Sequence, residues 1–300
     1  MPELPEVETV ARDLARWVTG ARIVDADVRW ERTIRHPQPA ERFVEEVRDA
    51  TIASVGRRAK TVLLHLDDGR VLTAALRMTG AFVVAEPGTP EDPHARVVFR
   101  LADGRELRFR DPRKFGRIGL WEGGGLRARR GRPRSVAQAR APYRVGDVFA
   151  RHGPEPMPRS FSAARFADRL RGRRGRLKSL LLDQSFIAGV GNIYADEALW
   201  RARLHPLRTA DSLSDVEIRR LHRAVRAALR EAVTYRGTSF SDYVGADGEP
   251  GANAERLRVY RRTGEPCLRC GATIERVVVG QRGTHFCPRC QRLPDEEGSR

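Results

Sequence analysis

Four cysteines, the only ones in the 300-residue chain, form two C-x2-C pairs near its end. The first pair is Cys267 and Cys270, and the second is Cys287 and Cys290. Four thiolates at this spacing are typical of a closed structural zinc site, in which a hairpin joins two tight turns. Two disulfides in a secreted domain are the alternative, but the acidic N-terminus does not resemble a signal peptide. We therefore expect one structural Zn²⁺ and no catalytic cysteine.

The N-terminus carries a second group of reactive residues, Pro2 and Glu3. Removal of Met1, which the small residue after it favours, would expose Pro2 as a secondary amine. An α-amine has a pKa of about 7.7–8.0, so roughly a tenth is unprotonated at neutral pH, far more than for an ordinary lysine. Such an amine can attack a sugar aldehyde carbon to give an iminium, and the adjacent Glu3 can donate or relay protons.

The charge of the chain indicates the class of its partner. Lysine and arginine total 56 against 39 acidic residues, a formal charge of +17, which suggests a polyanion and most often nucleic acid. Only Lys60, Lys114 and Lys178 are lysines, and a titratable amine distinguishes them from the arginines. No apolar run approaches the roughly 20 residues that span a bilayer, so no membrane partner is expected. Because there is no heptad repeat or large apolar stripe, we expect a monomer.

The first part of the chain must hold Pro2 and Glu3 on a β-rich domain. Apolar residues at helical spacing predict a helix over Pro5–Trp17. Between Ile23 and Trp121 the pattern changes to short strands, among them a hairpin with its turn at Asp67–Arg70. Many short strands with few helices predict a β-sandwich or barrel.

The second part of the chain is predicted to be helical. It follows residues 123–148, an arginine-rich stretch typical of a basic, flexible linker. Ser214 and Glu217 form a capping box for the longest helix, which Gly237 ends. Residues 238–257 are largely polar and glycine-rich and predict a mobile loop. Helical periodicity predicts helices over 161–171, 177–183, 190–200 and 214–235.

Four motifs, in order along the chain, resemble those of bacterial formamidopyrimidine-DNA glycosylases. They are the N-terminal Pro2–Thr9, then Asp111–Gly116, Ile187–Glu197 and Gln281–Cys287. The resemblance implies an α+β multidomain protein, in which a β-sandwich with an N-terminal helix precedes a helix-two-turn-helix domain and a four-cysteine zinc-finger β-hairpin. The implied domains are the sandwich at 1–122, the helical DNA-binding domain at 149–237, the lesion-contacting loop at 238–257, the zinc finger at 258–292 and a tail at 293–300.

The resemblance also implies a bifunctional repair enzyme, cytoplasmic and associated with the nucleoid, whose partner is double-stranded DNA with oxidised bases. It would flip out an oxidised purine such as 8-oxoguanine, cleave the N-glycosidic bond and nick the abasic strand by β,δ-elimination. Pro2 would attack C1′ and form the Schiff base, with Glu3 as the proton donor. Lys60 matches the residue assigned to β-elimination. Arg282 matches that assigned to δ-elimination, and because arginine side chains in proteins do not give up their proton, it is better suited to hold the 3′ phosphate.

Further positions match the DNA contacts of the family. Met78, Arg113 and Phe115 match its intercalating set, in which apolar side chains fill the gap in the base stack and the arginine hydrogen-bonds the estranged cytosine. Asn192 opens a helix after a glycine-rich entry, where backbone N–H groups favour a phosphate. The other matched contacts are His94, Arg173, Lys178 and Tyr260.

Two alternatives stay open. An endonuclease VIII-type glycosylase would prefer oxidised pyrimidines, but its relatives usually begin Pro-Glu-Gly-Pro, where this chain has Leu4, and lack the pairing of Arg113 with Phe115. A non-catalytic zinc-finger protein that binds damaged DNA would fit the charge and the cysteines, but it has no use for Pro2 beside Glu3.

The predicted loop and the residues just after it depart from the family pattern. Ala252 follows Gly251 where relatives often have an aromatic residue, and Arg261 replaces a frequent glycine. Because the family contacts the flipped base through this loop, base preference has to be tested separately from the reaction type.

Overall fold

The computed structural model describes residues 1–123, 144–240, 245–246 and 248–293. The chain divides into two compact units, Met1–Arg151 with Arg236–Ala252, and His152–Tyr235 with Asn253–Arg300. Much of the predicted linker, part of the predicted loop and nearly all of the tail lie outside the described residues. These are residues 124–143, residues 241–244 with 247, and residues 294–300.

The first unit is a β-sandwich that begins with helix α1 (Leu4–Val18) and contains a second helix, α2 (Ala40–Val47). One sheet has the strand order β1-β7-β8-β6 and is antiparallel. The other has the order β2-β9-β5-β4-β3, antiparallel except for the β2/β9 pair. The strands are β1 (Ile23–Val28), β2 (Ile34–His36), β3 (Ile52–Arg58), β4 (Thr61–Leu66), β5 (Val71–Ala75), β6 (Ala81–Ala85), β7 (Ala95–Leu101), β8 (Glu106–Arg110) and β9 (Arg117–Trp121).

One apolar core joins the two sheets with α1 and α2. Residues that alternate along each strand point to the same side, so Val62 and Leu64 of β4 meet Phe99 of β7 and Phe109 of β8 in this core. Helix α1 adds apolar residues at helical spacing, namely Val7, Val10, Leu14 and Val18. The predicted sandwich, its N-terminal helix and the hairpin at Asp67–Arg70 are confirmed.

Two parts of this unit differ from the sequence-based expectation. Helix α2 lies within the range predicted to hold strands, and it buries Phe43 and Val47, four residues apart, on one face. A short helix, α3 (Val145–Val148), forms at the end of the predicted linker. Val145 packs with Trp121 in a small apolar cluster, so residues 144–148 belong to the folded domain.

The second unit contains four helices among its described residues and a two-stranded hairpin. Ser214 and Glu217 form the predicted capping box of the longest helix, which ends at Thr234, three residues before Gly237. No helix in the described part of the chain combines the length and the apolar character that a membrane span requires. The elements are α4 (Ala163–Leu170), α5 (Leu177–Leu182), α6 (Asn192–Ala202), α7 (Asp215–Thr234), β10 (Glu275–Val279) and β11 (Arg282–Phe286).

Candidate active site and nucleic-acid interface

The N-terminal residues are held at the start of α1. Pro2 and Glu3 are both buried, whereas Met1 is 60% exposed. The carboxylate of Glu6, itself buried, accepts a hydrogen bond from the backbone N–H of Glu3 at 2.8 Å. This bond satisfies one of the N–H groups that the start of a helix leaves without an intrahelical partner. The position of Pro2 and Glu3 is therefore set by the helix that follows them.

The same helix holds the start of the loop that was predicted at 238–257. The second carboxylate oxygen of Glu6 accepts from the backbone N–H of Thr238 at 2.8 Å. Two helical turns further along α1, buried Asp13 accepts two hydrogen bonds from the guanidinium of Arg236, at 3.0 and 3.2 Å. Glu6 thus bonds simultaneously to the N-terminal residues and to the first residue of the predicted loop.

We expect Gly237→Ala to destabilise the first unit more than a typical glycine substitution. Gly237 has φ of +84°, and an added Cβ would lie 2.9 Å from the side chain of Glu6. The left-handed backbone costs an L-residue about 1–2 kcal/mol, and displacement of the Glu6–Thr238 bond adds about 1.5–3 kcal/mol. Urea unfolding of the full chain, followed through the indole N–H resonance of Trp121, measures the change.

Gly20→Ala is the matched control for this substitution. Gly20 has φ of +85°, and an added Cβ would meet nothing within 4 Å, so the control has the same backbone strain without the contact. Equal destabilisation by the two substitutions would mean that the contact of Glu6 with Thr238 contributes nothing to stability.

Lys60 lies in the turn between β3 and β4, and this turn is bonded to α1. Ala59 adopts a left-handed conformation with φ of +53°. Arg57 donates to the carbonyl of Ala59 at 2.8 Å and to the Glu8 carboxylate of α1 at 2.9 Å. Burial alone would raise the pKa of Glu8, but hydrogen bonds and charges from Arg57 and Arg12 outweigh it and lower that pKa. Lys60 is thereby fixed to the same helix as Pro2 and Glu3.

Four predicted DNA contacts of the first unit are all exposed and lie on turns between strands. Met78 is 40% exposed and Phe115 is 46% exposed, which is unusual for large apolar side chains. The guanidinium of Arg113 lies 5.1 Å from the ring centre of Phe115, within cation–π distance. His94 is exposed on the turn before β7.

In the second unit, Asn192 and Arg282 are connected through the hairpin. Asn192 is the first residue of α6, and its side-chain amide donates to the carbonyl of Gly283 at 2.9 Å. Arg282 precedes Gly283 and is exposed at the start of β11. Gly280 and Gln281, with φ of +54° and +61°, form the two-residue turn before it. The hairpin turn therefore fixes the backbone of Arg282 close to the start of α6.

The placement of Lys178 corrects the expectation of a direct DNA contact. Its side chain is 0% exposed, and its ammonium bonds to Asp196 at 2.6 Å and to the carbonyl of Asn192 at 2.9 Å. The other oxygen of Asp196 accepts from the backbone N–H of His285 at 2.9 Å. Because a buried charge requires a partner, Lys178 is held in the interior, where it joins α5 to α6 and, through Asp196, to β11.

The two remaining predicted contacts are partly exposed. Tyr260 packs its ring against His285 with centres 4.9 Å apart, and its backbone N–H donates to buried Glu197 at 3.1 Å. The guanidinium of Arg173 lies 5.4 Å from the ring centre of Phe186. Arg173 keeps part of its surface in solvent and Tyr260 adjoins the hairpin, so both can still meet a phosphate.

The four cysteines form one cluster suited to a metal ion. Their sulfur atoms all lie within 4.8 Å of one another; those of Cys270 and Cys287 are 3.5 Å apart, and those of Cys267 and Cys290 are 4.0 Å apart. A tetrahedral zinc site with Zn–S bonds of about 2.3 Å places its sulfurs about 3.8 Å apart, so the residues fit Zn²⁺. Burial raises the pKa of the Cys287 thiol to about 12, and a bound cation would reverse this by stabilising the thiolate.

Two polar side chains join the cysteine cluster to the helices. The indole N–H of Trp200, on α6, points to the sulfur of Cys267 at 3.4 Å. Gln291 is fully buried and donates to the carbonyl of Leu204 while it accepts from the backbone N–H of Cys287. The metal site and α6 are therefore part of the same packed structure.

Sequence reasoning missed the buried carboxylates that hold these groups, namely Glu6, Asp111, Asp196 and Glu197. All four lie inside the motifs quoted above. The available signal was an acidic residue within an otherwise apolar segment, as in Ile193–Trp200, because an acid on a buried face needs a partner. The identity of that partner, however, depends on segments far away in the chain.

Family models and relatives match most of the length of the chain. Residues 1–118 match the family model described as the formamidopyrimidine-DNA glycosylase N-terminal domain, residues 152–244 its H2TH domain, and residues 264–293 the zinc finger found in FPG and IleRS. A formamidopyrimidine-DNA glycosylase of Roseiflexus sp. (strain RS-1) is 47% identical over 293 residues, which cover 97% of this chain and 100% of the relative.

Solved structures agree with this match. A Lactococcus lactis FPG variant in complex with DNA containing Fapy-dG has a TM-score of 0.84 and 33% identity. Wild-type Lactococcus lactis FPG in complex with DNA containing an oxidised pyrimidine has a TM-score of 0.82 and 33% identity. Each comparison covers 97% of this chain and 100% of the other. With its sandwich, H2TH helices and four-cysteine hairpin matched along nearly its full length, the chain belongs to the formamidopyrimidine-DNA glycosylase family.

Proposed function

We propose that this protein is a DNA glycosylase and abasic-site lyase that excises oxidised purines, including 8-oxoguanine, from double-stranded DNA. The observation that carries the proposal is the buried Pro2–Glu3 pair at the head of α1, held by Glu6. A DNA-binding protein without catalytic activity needs no such arrangement at its first residues. We also propose that it acts as a monomer.

Pro2 starts the reaction once Met1 is removed. Its nitrogen lone pair attacks C1′ of the damaged nucleotide, the bond from C1′ to the base breaks, and the base leaves with the bonding electrons and takes up a proton. Glu3 donates a proton to the ring oxygen as the sugar opens, which leaves an iminium between Pro2 and C1′. The iminium withdraws electrons and makes the C2′ proton acidic.

Strand cleavage follows from that acidity. Loss of the C2′ proton expels the 3′ phosphate by β-elimination, and a second elimination expels the 5′ phosphate. Lys60 is assigned to the first step, as a proton acceptor or as a cation beside the phosphate. Arg282 is assigned to the leaving phosphate, which its planar guanidinium can hold by two hydrogen bonds. The zinc ion, when bound to the four cysteines, supplies a structural link that holds the hairpin of Arg282.

Base extrusion is assigned to the exposed turns of the first unit. Removing a base from the stack costs a few kcal/mol, and apolar side chains placed into the gap offset part of that cost. Met78 and Phe115 have the required exposure, and Arg113 can hydrogen-bond the base that remains. Exposed His94 and partly exposed Arg173 and Tyr260, with Asn192 at a helix start, are assigned to the DNA backbone.

Borohydride trapping tests this function. With duplex DNA that contains 8-oxoguanine opposite cytosine, the wild-type protein is expected to form a covalent adduct, because reduction converts the iminium to a stable amine. The adduct is expected to disappear in Pro2→Gly and to survive in Lys60→Ala, since the lysine acts only after the iminium has formed. Intact mass spectrometry of the same sample checks that Met1 has been removed.

The outcome also decides between the alternatives. No trapped species with any substrate would support a protein that only binds damaged DNA. Thymine glycol in place of 8-oxoguanine tests for a preference for pyrimidines. This substrate is included because a relative has been crystallised with DNA that contains an oxidised pyrimidine. Markedly faster excision of thymine glycol would overturn the assignment to purines.

A further inference from the structure

The exposed side chains of Met78 and Phe115 lie on two different turns, which are far apart in the sequence. Met78 lies in the turn between β5 and β6, and Phe115 in the turn between β8 and β9. A wedge made from two turns works only if the turns keep a fixed spacing, because the gap left by one extruded base is narrow. The need for such a wedge rests on the proposed function.

Asp111 bonds to both turns through its side chain. It is 1% exposed, and one carboxylate oxygen accepts from the hydroxyl of Thr79, the residue after Met78. The other oxygen accepts from the backbone N–H of Gly116, the residue after Phe115, at 2.6 Å. The Thr79 oxygen in turn accepts from the backbone N–H of Arg113 at 3.3 Å. A single carboxylate is therefore hydrogen-bonded to the residue after Met78 and to the residue after Phe115.

The backbone of Asp111 bonds to a third segment. Its N–H donates to the carbonyl of His94 at 2.9 Å, and its own carbonyl accepts from Arg96 at 2.9 Å and from the N–H of Lys114 at 3.2 Å. His94 is itself a proposed phosphate contact. All four proposed DNA contacts of the first unit are thus within one or two residues of a hydrogen bond to Asp111 or Thr79.

Close packing around Gly116 keeps this arrangement rigid. A Cβ at Gly116 would lie 2.5 Å from the ring of Phe109 and 3.1 Å from the carboxylate of Asp111. Lys114, which has no role in the proposed chemistry, adopts φ of +61° and places its ammonium 4.0 Å from the ring centre of Trp30. The turn is held on both sides, by the core and by a cation–π contact.

We infer that Asp111, acting with Thr79, is the positioning residue that holds Met78, Arg113 and Phe115 at a fixed spacing for base extrusion and for selection of the opposite base. It touches neither the sugar nor the base that is excised. Its effect is therefore expected on steps that need the base stack to open, and not on elimination from a sugar that already lacks its base.

Thr79→Val tests the inference, because it removes the hydroxyl and keeps the volume. Excision of 8-oxoguanine opposite cytosine is expected to fall roughly tenfold or more, as the wedge no longer offsets its part of the unstacking cost. The preference for cytosine over adenine opposite the lesion is expected to shrink. Cleavage of a single-stranded abasic oligonucleotide, which has no stack to open, is expected to fall far less. Thr79→Ser restores the hydroxyl and should restore the cytosine preference.

Thr73→Val is the matched control. Thr73 is buried in the same unit, and its hydroxyl also makes two hydrogen bonds, to Gly119 and from Trp121, away from the three turns. A similar loss of cytosine preference in Thr73→Val would show that any damage to the sandwich has this effect. An equal loss on lesion duplex and on single-stranded abasic DNA in Thr79→Val would likewise overturn the inference.

A binding measurement separates this inference from the proposed chemistry. A duplex with 2-aminopurine next to the lesion reports opening of the stack by a rise in fluorescence, whether or not any bond is cleaved. The wild-type protein is expected to raise the 2-aminopurine fluorescence. The Thr79→Val variant is expected to give only a small part of that increase. An active wild type with an unchanged Thr79→Val signal would refute the positioning role alone, whereas absence of trapping in the wild type would refute the proposed function.

Discussion

Removal of the metal from the four-cysteine site is expected to abolish strand cleavage and to unfold the hairpin of Arg282 while the sandwich stays folded. A two-stranded hairpin is marginally stable at best on its own. Structural zinc contributes about 10–16 kcal/mol of apparent binding free energy, which is available only to the folded site. The two-residue turn before Arg282 then loses its support, and the guanidinium loses its fixed position.

The tryptophans give a readout for each unit separately. The indole N–H of Trp200 donates to the sulfur of Cys267, whereas that of Trp121 donates to Thr73 at 2.8 Å in the sandwich. On chelation, the Trp200 indole resonance is expected to shift or vanish and the Trp121 resonance to stay in place. Added Zn²⁺ should restore both the Trp200 signal and strand cleavage. Full cleavage by metal-free protein would contradict the structural role of the site.

Lys178→Met is expected to destabilise the helical unit by about 3–5 kcal/mol, because it leaves the buried charge of Asp196 without its cation. The loss should appear as a lower urea midpoint for the Trp200 resonance. Lys114→Met, measured at the Trp121 resonance of its own unit, is the control at an exposed lysine, where loss of the contact with Trp30 should cost about 0.5–1 kcal/mol.

A double variant identifies the cause of that loss. Lys178→Met combined with Asp196→Asn removes both charges, so a part of the stability is expected to return. Recovery should be incomplete, because Asp196 also accepts from the backbone N–H of His285. If Lys178→Met cost no more than Lys114→Met, the buried ion pair would have no measurable role in holding α5, α6 and β11 together.

Much of the fold could be predicted from local patterns. The period of apolar residues marked α1 and α7, the sequence Asp67–Arg70 marked a hairpin turn, and Ser214 with Glu217 marked a helix start, all as observed. These signals succeed because each depends on neighbours within a few residues. Helix α2 was missed, although Phe43 and Val47 are spaced for one helical face, because the long series of strands around it dominated the prediction.

The candidate site was predictable only in part. Cysteine spacing alone placed four sulfurs together, because each pair closes a local turn. Whether a polar side chain is buried, in contrast, depends on contacts with residues that are distant in the sequence. Lys178 was expected to contact DNA, but its ammonium is buried and bonds to Asp196 and to the carbonyl of Asn192. Asp111 gave no signal of its own, since its partner Thr79 lies 32 positions away.

The hydrogen bonds at the head of α1 have a practical consequence for preparing the protein. They begin at the backbone N–H of Glu3, so residues before Pro2 take no part in them, and Met1 already points into solvent. A purification tag fused ahead of Met1 can therefore be tolerated by the fold while it masks the imino nitrogen. If Pro2 reacts as proposed, protein tagged at this end is expected to be folded but inactive, and active preparations are expected to need their tag at the other end or none.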